Sequence, residues 1–328
     1  MSDGIKRASS AELAAEQPRK KQVLEPLTAS AAKEPTQNKE LKDEWTTSSW
    51  KNKKALQMPA FPVQGLLKVE ARLQKLPPLV QPGEIRRLRL MLTEVQHGTR
   101  FLLQGGDCAE RFADCEGDAI ARKMRILLQM SLVMSWSSGL PMLRVGRMAG
   151  QYAKPRSSDT EVIDGKTVPT FRGDCINGIC KDDRDPNPDR LVEGYFHAAA
   201  TLNYMRSCQD AGIADLHLAK YWELSTNSSQ KSTERSTQYR EISDQLLNTL
   251  RFMDSCHVSV NESSNPATFF TSHEGLFLPL EAALTRKDKD GLYYNTSAHF
   301  LWIGDRTRQL DGAHVEFFSG VEEKFLSS

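Results

Sequence analysis

The side chains in this sequence best suited to chemistry fall into short clusters. Asp107-Cys108-Ala109-Glu110 follows the apolar run Phe101-Leu102-Leu103 and the pair Gly105-Gly106. A thiolate beside carboxylates can ligate a divalent metal. Paired with a base such as His273 it can be a nucleophile, and it can equally be a buried structural thiol. Arg147, Lys154 and Arg156 lie within one ten-residue stretch. Guanidinium forks and an ammonium suit carboxylate or phosphate; the alternative is a solvated basic loop. Ser272-His273-Glu274 offers a carboxylate that can position a substrate, act as an acid or base, or satisfy amides at a helix start. Position 277 is Phe, so no HExxH metalloprotease motif is present. Gly304-Asp305-Arg306-Thr307-Arg308 repeats the anion theme. No Walker-type loop occurs, so a nucleotide is not indicated.

Each cluster stands at the end of an apolar run that reads as a strand: 101–106, Met142 to Gly146, Thr268 to Thr271, and Ala298 to Ile303. Between them, apolar residues at helical spacing predict helices. Glu84 to Val95 carries Ile85, Leu88, Leu92 and Val95 and stops at Gly98; Asp118 to Trp136 carries Ile120, Met124, Leu127 and Leu128. Further helices are expected over Leu191 to Met205, Tyr239 to Met253 and Pro279 to Leu284. Alternating strands and helices imply βαβ units and a parallel sheet, with the clusters at the strand ends where α/β proteins place their sites. The expected fold class is α/β, a partial (β/α)8 TIM-type barrel comprising about the first four strands. Residues 1–44 read as a disordered tail and 45–98 as an extension and helix packing on the barrel. Prolines between Trp45 and Val80 suggest an extended segment there. Residues 99–320 read as the half-barrel, with polar inserts near 157–188 and 225–236, and 321–328 as a divergent tail.

The 328 residues carry 43 basic and 42 acidic groups, which gives no electrostatic case for nucleic acid or an anionic membrane. No apolar run of 18 residues and no signal-peptide pattern is found. The mean hydropathy of −0.50 fits a polar tail. Six cysteines without a CxxC pair are not a disulfide framework, and Cys175 and Cys180 lack a second half for a zinc site. A cytoplasmic location is expected, because the acids of the tail argue against a plastid transit peptide.

Taken together, these segments resemble the class II (plant-type) 3-deoxy-D-arabino-heptulosonate 7-phosphate (DAHP) synthases. The resemblance rests on FLLQGGDCAE at 101–110, RMAGQYAKPRS at 147–157, FRGDCING at 171–178, TSHEGLFLPLEAALTR at 271–286 and WIGDRTRQLDGAHVEFF at 302–318. It implies condensation of phosphoenolpyruvate with erythrose 4-phosphate and release of phosphate, the first step of the shikimate pathway to aromatic amino acids. It also implies a divalent metal, Mn2+ or Co2+, and a homo-oligomer. By this resemblance Cys108 matches the metal-binding cysteine, Arg147 a phosphoenolpyruvate-binding arginine, and Lys154 a substrate-contacting lysine. Asp305 and Arg306 match an acidic-Arg pair that also contacts phosphoenolpyruvate. The family pattern continues past GAHVEFF into an Asn-Pro motif, where this sequence reads Ser319-Gly320-Val321-Glu322. The expectation is therefore a C-terminally truncated member, lacking the remaining metal ligands and inactive alone. The alternative is a truncated, inactive paralogue that binds a full-length synthase.

Overall fold

A computed structural model describes residues 45–211 and 268–322, together with positions 241, 244, 245 and 248. The expected tail over 1–44, the insert at 225–236 and most of the helix over 239–253 lie outside the described residues. In chain order the elements are α1 (Val63–Leu73), α2 (Pro82–Gln96), β1 (Phe101–Gly106), α3 (Gly117–Ser138) and β2 (Met142–Arg147). A hairpin of β3 (Thr160–Ile163) and β4 (Lys166–Pro169) precedes α4 (Asp189–Asp210) and β5 (Phe269–Glu274). Then come α5 (Leu278–Leu284), a second hairpin of β6 (Thr285–Lys287) and β7 (Tyr293–Asn295), β8 (Phe300–Trp302) and α6 (Ala313–Ser319).

Strands β1, β2, β5 and β8 form one parallel sheet in the order β1-β2-β5-β8. This is the α/β arrangement with a parallel four-stranded sheet that the alternating pattern predicts. Each strand is buried where it must pack: β5 is buried along its whole length. Helix α3 lays Ile120, Met124, Leu127 and Leu128 against Leu103, Met148 and Phe269. Gly105 allows that approach, since a Cβ there would sit 2.9 Å from Leu127 Cδ2. Gly106, at φ +142, could carry no Cβ without striking the Arg147 carbonyl at 2.6 Å. The Gly-Gly pair before Cys108 thus serves helix packing and strand packing.

Two expectations are corrected. The Trp45–Val80 segment is not extended throughout, because Val63–Leu73 is helical. Pro62 stands at its N-cap, where proline starts a helix rather than barring it, and Val69 and Leu73 are buried on one face. The segment also closes a core of its own: Trp45 and Trp50 pack with Leu278, Leu301, Phe317 and Phe318. The polar excursion from Ser157 to Pro188 contains the β3–β4 hairpin, and Phe171, Asp174, Cys175, Ile176 and Asn177 within it are buried. Asn177 explains why: its Nδ2 donates to Thr170 and Arg184 carbonyls and its Oδ1 accepts from Arg172 N, closing the loop on itself. Among the described residues no helix is long and apolar enough to cross a membrane.

Candidate anion-binding site at the carboxyl edge of the sheet

The parallel register sets the loop starts side by side. Gly106 is level with Arg147, Gly146 with Thr271, and Glu274 with Trp302. Arg147 closes β2 and Glu274 closes β5, so both lie at the carboxyl edge of the sheet. The Arg147 guanidinium carbon lies 4.7 Å from the Trp302 ring centre, a cation–π contact that fixes the fork over β8. Its Nε is buried without a hydrogen-bond partner among the described residues. An unpaired buried guanidinium donor is costly, and an anion is the partner its charge requires.

Glu274 faces the same charges. Burial raises its pKa, opposed by Arg147, Arg306 and His273. Its Oε1 is buried and has no hydrogen-bond partner among the described residues. Gly304 makes room for it, since a Cβ there would collide with Oε1. The Glu274 N–H donates to Gln151 Oε1 at 2.9 Å, tying the β5 end to the loop after β2. The helix-start reading of Glu274 is corrected: α5 begins at Leu278, with Phe277 at its N-cap.

Arg306 reaches back across the edge, its Nη2 donating to Ser157 Oγ at 3.0 Å. Lys154 is half-buried on the same loop, with its N–H donating to the Arg172 carbonyl at 2.8 Å. Its ammonium makes no ion pair among the described residues. Arg156 is committed to structure, donating from Nε to the Phe171 carbonyl at 2.5 Å. Asp305 turns to solvent, where its Oδ1 accepts from Arg308 Nε at 2.6 Å and its side chain is 80% exposed. Arg147 and Arg306 therefore both act on the charge of Glu274, Arg306 is tied to the Lys154 loop through Ser157, and Asp305 turns away to Arg308.

Cys108 is exposed on the loop after β1, and its carbonyl accepts from Arg147 Nη2 at 3.5 Å. Beside it, Asp107 pairs with Lys123 of α3. Cys108 and His273, the pair a nucleophile reading would join, share no hydrogen bond among the described residues, and the His273 Nδ1 is buried without a partner. The His273 Nε2 is engaged by Glu281 Oε1 at 3.0 Å, and Glu281 Oε2 in turn accepts from Asn295 Nδ2 and Ser297 Oγ, both at 2.9 Å. Among the described residues no three His, Cys, Asp or Glu side chains gather to hold a metal. Cys108 is a lone candidate ligand, so these residues do not fit a complete metal site.

Two contributors have roles that sequence reasoning missed, Glu110 standing in the first cluster as a possible metal ligand. Glu110 is buried, and its carboxylate accepts from the backbone N–H groups of Ala149 (3.0 Å), Gly150 (2.9 Å) and Gln151 (2.8 Å). It holds the turn that follows Arg147, in which Ala149 adopts φ +64. Burial pushes the Glu110 pKa up, against the three N–H donors that favour its charge. Trp302, the support of Arg147, is the other. Its partner is set by strand register, which no local spacing reveals.

Four parallel strands with helices packed against them define an α/β protein, with its candidate site at the carboxyl edge of the sheet. More particularly, the chain belongs to the class-II DAHP synthetase family, which residues 45–324 match. It is 47% identical over 293 residues to a Neurospora crassa protein named phospho-2-dehydro-3-deoxyheptonate aldolase, an alignment covering 84% of this chain and 60% of that one. A Streptomyces coelicolor protein of the same name is 43% identical over 278 residues, covering 84% and 61%. A Mycolicibacterium smegmatis phospho-2-dehydro-3-deoxyheptonate aldolase AroG is 40% identical over 273 residues, covering 81% and 57%. The chain thus spans about three-fifths of the length of the curated relatives it matches.

Proposed function

We propose that this chain carries the phosphoenolpyruvate-binding part of a DAHP synthase, which condenses phosphoenolpyruvate with erythrose 4-phosphate and releases phosphate. The observation that carries this reading is the unpartnered, buried Nε of Arg147 at the carboxyl edge of the sheet, where Arg306 also acts on the charge of Glu274. Both substrates bear phosphate and one also bears a carboxylate, so bringing them together needs several fixed cations at one place. Arg147 and Arg306 hold the anionic groups of phosphoenolpyruvate. Lys154 supplies a point charge for phosphate. Asp305, by the family resemblance, contacts phosphoenolpyruvate together with Arg306. Glu274 is placed to hold or pass a proton, because burial keeps its protonated form accessible. The same resemblance assigns a divalent metal, Mn2+ or Co2+, to the family, and Cys108 is the one candidate ligand among the described residues. The four strands then form part of a (β/α)8 barrel, and assembly as a homo-oligomer follows the family habit.

Calorimetric titration of the intact chain with phosphoenolpyruvate tests this. Arg147→Ala and Arg306→Ala should each weaken binding about tenfold or more, as loss of a charge-assisted contact does. Arg86→Ala, on α2, should leave it unchanged. Equal affinity in all four proteins, or none in the unaltered chain, sinks the reading.

A further inference from the structure

The amino-terminal segment reaches the basic loop through one side chain. Gln57 Nε2 donates to the Arg156 carbonyl at 2.9 Å, and its Oε1 accepts from the Arg156 N–H at 2.7 Å. A single amide therefore satisfies both backbone groups of one residue, as a neighbouring strand would, where no strand is present. Arg172 Nη1 also donates to Gln57 Oε1 at 3.5 Å. On the other flank the Arg156 Nε and the Lys154 N–H are bound to the carbonyls of Phe171 and Arg172. The run from Lys154 to Ser157 is thus gripped from both sides, and its last residue receives Arg306. Gln57 itself sits at φ +61, a conformation that L side chains rarely adopt. Glycine would take that conformation without strain, yet the residue present is one whose amide completes the grip.

We propose that Gln57 is a positioning residue for the anion site, fixing the Lys154–Ser157 backbone so that Lys154 and the Ser157–Arg306 bridge meet the substrate phosphate. This rests on the function proposed above. Ordering a free backbone at binding carries an entropy cost for every residue fixed. Holding the loop beforehand removes that cost from the binding step. The amino-terminal segment is then a working part of the site as well as a cover for the core.

Gln57→Gly separates positioning from stability, because it relieves the left-handed strain while removing the amide. In the intact protein it should weaken phosphoenolpyruvate binding roughly tenfold with no fall in the thermal midpoint. It should also speed hydrogen exchange at the Arg156 amide by about tenfold or more. Gln57→Glu keeps the acceptor and loses the donor, and should fall between the two. Unchanged exchange at Arg156 in Gln57→Gly overturns the clamp itself. Unchanged phosphoenolpyruvate binding in Gln57→Gly, where Lys154→Ala loses it, overturns the positioning role alone. If the unaltered chain does not bind phosphoenolpyruvate, the proposed function falls and the positioning role falls with it.

Discussion

In the proposed anion site, Glu274 is the group whose ionisation should respond to pH. Above its raised pKa the carboxylate is ionised, neutralises part of the field of Arg147 and Arg306, and repels an incoming anion. Below that pKa it is neutral and the repulsion is gone. Anion affinity should therefore rise as pH falls through the Glu274 pKa. Sulfate is the suitable probe, since its own charge is constant over this range. At pH values where Glu274 is ionised, Glu274→Gln should bind sulfate about fivefold more tightly than the unaltered protein, as removal of a partly screened like charge does, and its profile should be flat. Superimposable profiles for the two proteins would place Glu274 outside the site. Turnover, where it is measured, should move the opposite way if Glu274 passes a proton: tighter anion binding with a slower reaction.

The loops answer to the elements behind them, and the Glu110 clamp is the clearest case. One carboxylate from the β1 loop satisfies three consecutive N–H groups of the β2 loop. Glu110→Gln keeps the shape but replaces one oxygen with an amide NH2, which meets N–H donors it cannot accept from. The expected loss is about 1–3 kcal/mol of stability, read from urea unfolding, with weaker phosphoenolpyruvate binding because the turn after Arg147 loosens. A loss within error would show that water replaces the clamp. The same contrast explains what was legible in the sequence. Helix α2 was readable because Ile85 and Leu88 are buried on one face and Gly98 follows its end. The parallel strands were readable because buried strands are apolar runs. The β3–β4 hairpin was not, since its residues are exposed or half-buried throughout and carry no buried apolar stripe. Helix α1 displayed Leu66, Val69 and Leu73 at helical spacing, but Pro59, Pro62 and Pro77 around it pointed to an extended chain. Arg147, Lys154 and Arg306 were legible by type and position. Glu110 and Gln57 were not, because each acts on backbone groups far along the chain, and only the folded path brings those within reach.

At the scale of the whole molecule, the amino edge of the sheet is tied together by a charge network of its own. Glu84 of α2 accepts the Gln81 N–H at 2.8 Å, Arg206 Nη2 of α4 at 3.0 Å and His299 Nε2 at 3.4 Å, where His299 directly precedes β8. The His299 Nδ1 accepts the Thr271 N–H at 3.0 Å, so Nε2 carries the proton. One carboxylate therefore joins two helices to two neighbouring strands. Burial would raise the Glu84 pKa, but the hydrogen bonds from His299 and Gln81 and the charge of Arg206 hold it at about 2. The unfolded carboxyl titrates near its ordinary value of 4.5. The folded state thus binds fewer protons between these values, so the contribution of Glu84 is complete above pH 4.5 and is lost as pH falls towards 2. Burial also lowers the His299 pKa, against Glu84, so acid below its usual value of 6.5 disfavours the folded state in the same direction. Glu110 and Glu274, with raised values, work the other way, and a single stability curve would mix the two. The difference between the unaltered protein and Glu84→Gln isolates the network. It should be largest at pH 7, shrink from pH 4.5 downward and vanish near pH 2, followed by urea unfolding at each pH. Because Glu84 stands at the amino edge, sulfate affinity at pH 7 should not change in Glu84→Gln. A pH-independent stability difference, or a change in sulfate affinity, would contradict this division between a stabilising edge and a binding edge.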